Sequence, residues 1–367
     1  MLKHALGSAV GKARYRLSKQ RQQWQKDRQA RIRRSHPQGA ILMYHRVAPQ
    51  NINQDIDPWR LCVTPKNFEA HLQVLKRHMQ PMSLKELAIA QQNHTLPDRA
   101  VAITFDDGYA NNLYQAKPLL AKYEIPATVF VTTGYTDSGR EFWWDALETA
   151  LLHPRTLPAT LEISIDNQPQ KWELGSATRY SQAERQADRC IAAWAAPDGS
   201  RLNFYHQVWA ALQPLLEQPR RTALDQIFAW AEVEPASREL YRPMRSAELK
   251  RIEANGTVTI GAHTAHHPLL SRHNREEQHQ EIMTSRAYLE QLLNHPVDTF
   301  AYPFGAYQPE TVPLLANTDF LCACTTAEET VWQGSPCYEL PRFDAGDWSG
   351  PIFEQRLLRW LKKGYAE

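Results

Sequence analysis

Two carboxylates stand side by side in Thr104-Phe105-Asp106-Asp107-Gly108-Tyr109, directly after an apolar run. Adjacent carboxylates repel each other and lose hydration where a buried strand ends. A cation on one of them relieves the repulsion and leaves the other free as a base. An aspartate pair capping a turn before Gly108 explains the doublet alone equally well. A second cluster is Gly261-Ala262-His263-Thr264-Ala265-His266-His267-Pro268, and four of the fourteen histidines fall between residues 263 and 273. His263 and His267 are four apart, yet Pro268 and the apolar run before the cluster argue against a helix. A loop must therefore fold both imidazoles toward one point, with His266 turned away from it. A lone histidine is usually a core or surface residue, whereas a cluster after a buried strand favours a metal site. The third cluster is Phe300-Ala301-Tyr302-Pro303-Phe304-Gly305. A Pro-aromatic-Gly turn can aim a backbone N–H at a reacting oxygen, although by itself it is only a turn.

These clusters need strands to carry them. Short apolar runs at Ala40–Tyr44, Ala100–Phe105, Ala127–Val131, Thr257–Ile260, Thr299–Tyr302 and Leu321–Thr325 read as buried strands. Helical spacing follows Thr64-Pro65, passes through Leu119-Leu120, covers Glu276–Leu293 and Thr311–Ala316, and closes the chain at Ile352–Leu361. Strand, helix, strand at this spacing predicts right-handed parallel βαβ units, and each chemistry-bearing cluster lies just past a strand's C-terminal end. Residues 136–245 break the alternation. They predict an inserted, mostly helical subdomain with one hairpin (Leu161–Ile165 and Lys171–Leu174) and amphipathic helices around Trp194, Trp209, Leu215 and Trp230.

The 367 residues, 43% hydrophobic and 22% charged, are ample for a buried core, so neither a disulfide scaffold nor a disordered chain fits. No stretch approaches the ~18 apolar residues of a membrane-spanning helix, and Lys3, His4, Lys12 and Arg14 break up any signal-peptide core. Five cysteines without a CxxC pair argue for reduced thiols in the cytoplasm. The net charge of +2 is unevenly spread. Residues 1–35 carry eleven Lys/Arg against Asp27 alone, leaving 31 basic and 39 acidic residues, a net of −8, in the remainder. That basic extension is either a solvated tail or an attachment to an anionic membrane surface on the cytoplasmic side. No recognition motif accompanies the charge, so nucleic acid is not an expected partner.

Taken together, the clusters are identifiable. From Ile41 to about Leu361 the chain resembles the polysaccharide deacetylase family, the NodB-homology metal-dependent carbohydrate esterases. TFDDGY, HTAHHP and FAYPFG match its first three motifs in order, and Asp347-Trp348 in RFDAGDW resembles the fourth. LMYHRV and FWWDALE (Phe142–Glu148) look like the branch found in bacterial cell-surface polysaccharide biosynthesis. The resemblance implies an α/β fold, a distorted (β/α) barrel over 37–361 that carries the 136–245 insertion and follows a basic extension over 1–36. It implies one divalent cation, usually zinc, on Asp107, His263 and His267. Asp106 is then the general base that deprotonates the metal-activated water attacking an N-acetyl group of a carbohydrate, and the Phe304 backbone N–H stabilises the oxyanion.

Tyr109, Trp143, Trp144, Pro303 and Trp348 become candidate substrate contacts on the same reading, the tryptophans as sugar-stacking faces or, for Trp143-Trp144, as core. Two departures stand out. Ala301 occupies the place of a family arginine that orients the base, and Arg342 is the candidate substitute, pairing with Asp347 or Asp106. The family's late Leu-x-His is missing, since no histidine follows His295, and His45 is the candidate general acid or else a strand-end residue bonded to backbone. Two rival readings are a barrel that binds glycan or a partner enzyme without turnover, and a hydrolase of another non-peptide C–N bond.

Overall fold

The computed structural model describes residues 35–49, 56–153 and 155–366. Apart from Ser35 and His36, the basic extension lies outside the described residues. Seven strands run side by side in the spatial order Cys322–Cys324, Thr299–Ala301, Val258–Ala262, Ala127–Val131, Ala100–Phe105, Gly39–Tyr44 and Phe343–Asp344. Every neighbouring pair is parallel, and a short strand at Gln80–Pro81 adds to Ala100–Val101. Chain order therefore follows spatial order except for the last strand, which returns beside the first. The segment 340–345 joins the two ends of the sheet. Leu340 bridges Cys324 on one side, with its N–H on Ala323 O at 2.9 Å. Phe343 and Asp344 pair with Leu42 and Met43 on the other. The result is a distorted (β/α) barrel closed by one seam.

Strand composition explains the layering. In Ala100–Phe105 every side chain is buried, as expected for a parallel strand covered on both faces. Val101, Ile103 and Phe105 pack outward with Phe68, Leu72 and Leu75 of the helix Pro65–His78. Ala100 and Ala102 face a smaller cluster with Ile41, Phe130, Ala301 and Cys324. The two-residue period continues along that inner face through Thr104 to Asp106, so the alternation of an apolar strand delivers a carboxylate to the barrel mouth. The helix Pro65–His78 begins at the expected signal, with Thr64 Oγ1 accepting from Asn67 N.

Residues 142–231 build a second core around Trp143, Leu147, Leu161, Tyr205, Val208 and Ile227. It contains the helices Trp143–Leu151, Gln182–Asp188, Arg201–Leu212 and Glu217–Ala231 and the antiparallel hairpin Thr160–Ile165 with Gln168–Glu173. The hairpin turn is two residues, Asp166-Asn167, both at positive φ, and the second strand starts at Gln168, three residues before the Lys171 read from the sequence. Around Trp194 there is only a single 3-10 turn, Ala193–Ala195, where an amphipathic helix was expected. The half-buried Arg238 fastens this region to the chain that re-enters the barrel by pairing with Glu148 and, at 2.9 Å, with Glu141 Oε2, while Arg185 Nη2, 3.3 Å from Glu148 Oε1, ties two of the region's own helices together.

Candidate active site

The three sequence clusters meet at the C-terminal mouth of the barrel. Asp107 Oδ1 lies 3.4 Å from His267 Nε2 and 3.7 Å from His263 Nε2, and candidate ligand atoms of all three buried residues fall within 4.8 Å of one another. Donors sharing a tetrahedral cation at ~2.0–2.1 Å sit ~3.3 Å apart, so this triad fits a divalent metal. His263 Nδ1 is 2.7 Å from Ala301 O. Donation to that carbonyl fixes the tautomer and leaves the Nε2 lone pair facing Asp107. Burial first, then Arg342, pulls His263 down against the opposing Asp106, and burial, His263 and Arg220 push His267 well below its ordinary value. Both imidazoles are thus neutral, the ligating form. Burial together with the Asp106 and Asp145 carboxylates pushes Asp107 well up, a cost that a cation removes.

The loop carrying the histidines is strapped down at several points. His263 N donates to Val131 O at 3.1 Å, Thr133 N to Thr264 O at 3.3 Å, and Gly134 N to Ala265 O at 2.7 Å. A Cβ on Gly134 would lie 2.5 Å from the His266 ring, so this approach requires glycine. His266 turns away from the triad to Glu281, with Nδ1 2.8 Å from Oε1 and N 2.8 Å from Oε2. His267 N donates to Thr264 Oγ1 at 3.0 Å, and its ring is wedged between Trp144 and Phe304, with centroids at 4.8 and 4.5 Å. Asp107, Thr264, His267 and Phe304 all adopt positive φ, between 55° and 72°. Non-glycine residues seldom do so, and held strain of this kind collects at functional sites.

Beside the triad, Arg342 grips Asp106 through both terminal nitrogens, at 2.6 and 2.7 Å. The guanidinium is fully buried and spends its Nε on Thr325 O at 2.9 Å. Burial alone would push Asp106 up, but Arg342 and then His263 outweigh it and hold the carboxyl at about 2. Asp106 is therefore a carboxylate across the neutral range. Phe304 sits in a tight turn closed by Gly305 N on Tyr302 O at 2.8 Å and Ala306 N on Pro303 O at 3.0 Å.

A cleft of about 330 Å³ opens over these groups, walled by Met43, His45, Trp59, Leu61, Trp144, Trp194, Trp209, Phe304 and Thr326. The structure brings Asp106, Asp107, His263, His267, His45, Phe304 and Trp144 to it and leaves other expected residues elsewhere. Asp347 is not beside Arg342; it accepts from Thr64 N, Thr64 Oγ1 and Asn67 Nδ2 at 2.7–2.9 Å. Trp348 stands with it, under Arg356 and against Trp360. Trp143, turned into the second core beneath Arg220 and against Trp209, offers no face to a sugar. Tyr109 is fully buried, donating to Asp145 Oδ2 at 2.7 Å and accepting from Trp144 Nε1 at 2.8 Å. Pro303 is buried in the turn. Sequence reasoning missed Trp59, Trp209 and Thr326 on the cleft wall. It also missed Arg220, whose Nη1 donates to His266 O at 3.2 Å. Only Thr326, just past a predicted strand end, carried a signal that could have found it.

The fold and the buried Asp-His-His group define a parallel (β/α) barrel with a metal-capable mouth. The polysaccharide deacetylase family profile matches residues 93–156 and 225–323, so the chain carries a polysaccharide deacetylase domain. YxkH of Bacillus subtilis is 38% identical over 93 residues, 25% of this chain and 30% of that protein. The poly-beta-1,6-N-acetyl-D-glucosamine N-deacetylase of Staphylococcus aureus is 35% identical over 103 residues, 26% of this chain and 36% of that protein. The chain thus spans about a third of the length of the curated relatives it matches. In structure it is similar to the Streptococcus pyogenes deacetylase PplD, solved with acetate. That match has a TM-score of 0.53 at 20% identity over 88% of this chain and 98% of the other. IcaB from Ammonifex degensii gives a TM-score of 0.53 at 16% identity, over 89% and 97%. At such identities the likeness is one of fold. Among the described residues no helix is long and apolar enough to cross a membrane.

Proposed function

We propose that the chain is a metal-dependent hydrolase that removes N-acetyl groups from an amino sugar in a polysaccharide, oligosaccharide or lipid-linked precursor. The observation that carries this reading is the pairing of two different aspartates at one strand end. Asp107 faces two neutral imidazoles, and Asp106 is held ionised by Arg342. A divalent cation on Asp107, His263 and His267, zinc by the N/O ligand chemistry, would supply Lewis acidity toward water and the acetamide carbonyl. Asp106 accepts the proton that water gives up as it attacks. The Phe304 N–H, on its strained turn, donates to the oxygen on which charge develops. Burial lowers His45 to about 4, His263 and Arg342 adding to the effect and Asp106 opposing it. His45 is therefore neutral at rest. It becomes a donor to the leaving amine only by taking up the proton that Asp106 removed. Trp144 lines the cleft as an aromatic wall for the sugar.

We read residues 136–245 as a subdomain inserted into the barrel, and residues 1–36 as a basic extension that holds the enzyme at the cytoplasmic face of an anionic membrane. The test of the catalytic reading is a screen of N-acetylated saccharides, beginning with β-1,6-linked N-acetylglucosamine oligomers, on metal-reconstituted protein. Free amine and acetate appearing in equal amounts support it. Metal-loaded protein that binds these sugars and releases neither would favour a glycan-binding barrel, and amine released without acetate would favour another C–N bond.

A further inference from the structure

Trp194 is 60% exposed, the largest value among the exposed large apolar side chains of the described residues. It is nevertheless fixed in place. Its 3-10 turn is pinned by Ala193 N donating to Pro58 O at 2.8 Å, and its ring lies 5.9 Å from Trp59 at a 30° tilt. Trp59 is itself braced by Trp209, with centroids at 4.1 Å, and by its Nε1 on Tyr205 Oη at 2.8 Å. A single exposed apolar side chain is ordinary, but this braced indole also lines the cleft that holds Asp106 and Asp107. Trp194 belongs both to the cleft over Asp106 and Asp107 and to a neighbouring groove of about 770 Å³. The cleft, at about 330 Å³, is near the small end of ligand sites and matches one sugar residue, whereas the groove is more than twice that size.

The groove's chemistry restricts what lies in it. Arg46, Arg60 and Arg189 line it together with Asp57, Asp344, Asp347 and Trp348. Arginines and aspartates interleaved in this way, with burial pushing Asp344 up to about 7, do not make the one-sign field through which a polyanion binds. Aromatic faces interleaved with carboxylates and guanidinium groups suit the apolar ring faces and hydroxyl edges of neutral pyranoses. We propose that Trp194, backed by Trp59, is the stacking platform for the sugar unit next to the one bearing the reacting acetamide. The glycan then runs from the cleft across this indole into the groove, so the substrate is a chain of several neutral sugar residues. The proposal rests on the deacetylation reading only for the direction of the chain.

The test is binding of N-acetylglucosamine and its β-1,6-linked pentamer to metal-loaded Asp106→Asn protein, read by calorimetry and tryptophan fluorescence. Acetate release by the otherwise wild-type enzyme is measured alongside. The pentamer should bind at least about 10-fold more tightly than the monomer, roughly 1.4 kcal/mol, and equally well at low and high salt. Trp194→Ala should erase most of that preference, and Trp194→Phe should restore part of it. Equal pentamer affinity with and without Trp194, or tighter binding of a sulfated pentamer that fades with salt, would overturn the proposal. Pentamer binding that depends on Trp194 without any acetate release would support the platform and overturn the deacetylation reading instead.

Discussion

Arg342 and Asp106 are joined across the barrel seam by two charge-assisted hydrogen bonds at 2.6 and 2.7 Å. The two residues lie 236 positions apart in the chain, and the segment that closes the sheet also supplies the cation that holds Asp106 ionised. Ala301, where the family resemblance implied an arginine, is a small side chain in the inner cluster. The positive charge enters instead from the seam segment, where Arg342 Nε also meets Thr325 O. Replacing Arg342 by Met removes the largest influence opposing the burial of Asp106, so its pKa rises from about 2. The acidic limb of the kcat/KM profile should then move to higher pH, and kcat should fall by about 10²–10⁴-fold. Thermal melts should show a loss of about 3–5 kcal/mol for breaking a buried pair. Arg342→Lys, which keeps the charge without the fork, should fall between the two. An unchanged pH profile in Arg342→Met would remove Arg342 from the account.

Arg220 ties the helix Glu217–Ala231 to the metal loop through His266 O, while its guanidinium covers the Trp143 ring at 4.9 Å. It touches none of the three candidate ligands and acts by holding the turn on which His267 sits. Arg220→Met should therefore weaken metal binding by about 10–100-fold, the usual range for supporting contacts. Competition with a chelator would measure this on folded protein. Metal affinity equal to wild type would make Arg220 a packing residue only.

Gly305 has φ +64°, and a Cβ there would lie 2.0 Å from Thr326 Oγ1. Gly305→Ala must either displace Thr326 from the cleft wall or open the turn that aims the Phe304 N–H. Turnover should drop by about 10²–10³-fold, the cost of losing one oxyanion donor, with metal content retained. The double variant Gly305→Ala, Thr326→Gly takes away all three clashing atoms, Oγ1, Cβ and Cγ2 of Thr326, and keeps the φ penalty of about 1–2 kcal/mol. It should recover part of the activity, and a double-variant cycle showing simple additivity would contradict the geometric cause.

Much of this site was readable because it is local. Asp106-Asp107, the 263–267 histidines and the 302–305 turn each follow a buried strand, and parallel barrels collect strand ends at one mouth. The parts that were not legible join distant segments. Nothing in the spacing of Arg342 chooses Asp106 over Asp347; the choice follows from the seam, where the alternation of Leu340–Asp344 turns Arg342 inward and leaves Asp347 to cap the helix start at Thr64. Trp143 and Trp144 are adjacent in sequence, but neighbouring positions on a helix face different ways. One indole enters the second core while the other lines the cleft. Trp59 and Trp209 sit in no motif, and only the packing of residues 142–231 against the barrel brings them together.

The eleven-to-one charge ratio of residues 1–35 makes a separate prediction about location. Each basic residue near an anionic surface contributes about 1 kcal/mol, and the attraction should fade as the Debye length shrinks toward roughly 3 Å at 1 M salt. Full-length protein should co-sediment with phosphatidylserine vesicles at low salt and release at high salt. A form beginning after Ser35 should stay in solution and still hydrolyse a soluble substrate. Both forms in the supernatant at low salt would make the extension a solvated tail.

The division of labour between the paired aspartates is the centre of the account, and one side-by-side measurement tests it. Wild type, Asp106→Asn and His263→Ala are each loaded with zinc, freed of excess metal, and assayed for bound metal per chain and acetate released from an N-acetylated glucosamine oligomer. Asp106→Asn keeps the shape and hydrogen bonding of the carboxylate without its capacity to accept a proton. It should hold about one metal per chain, as wild type does, and lose nearly all acetate release, whereas His263→Ala should lose both. Equal metal loss in the two variants, or turnover by Asp106→Asn close to wild type, would contradict the assignment of Asp107, His263 and His267 to the metal and Asp106 to the proton.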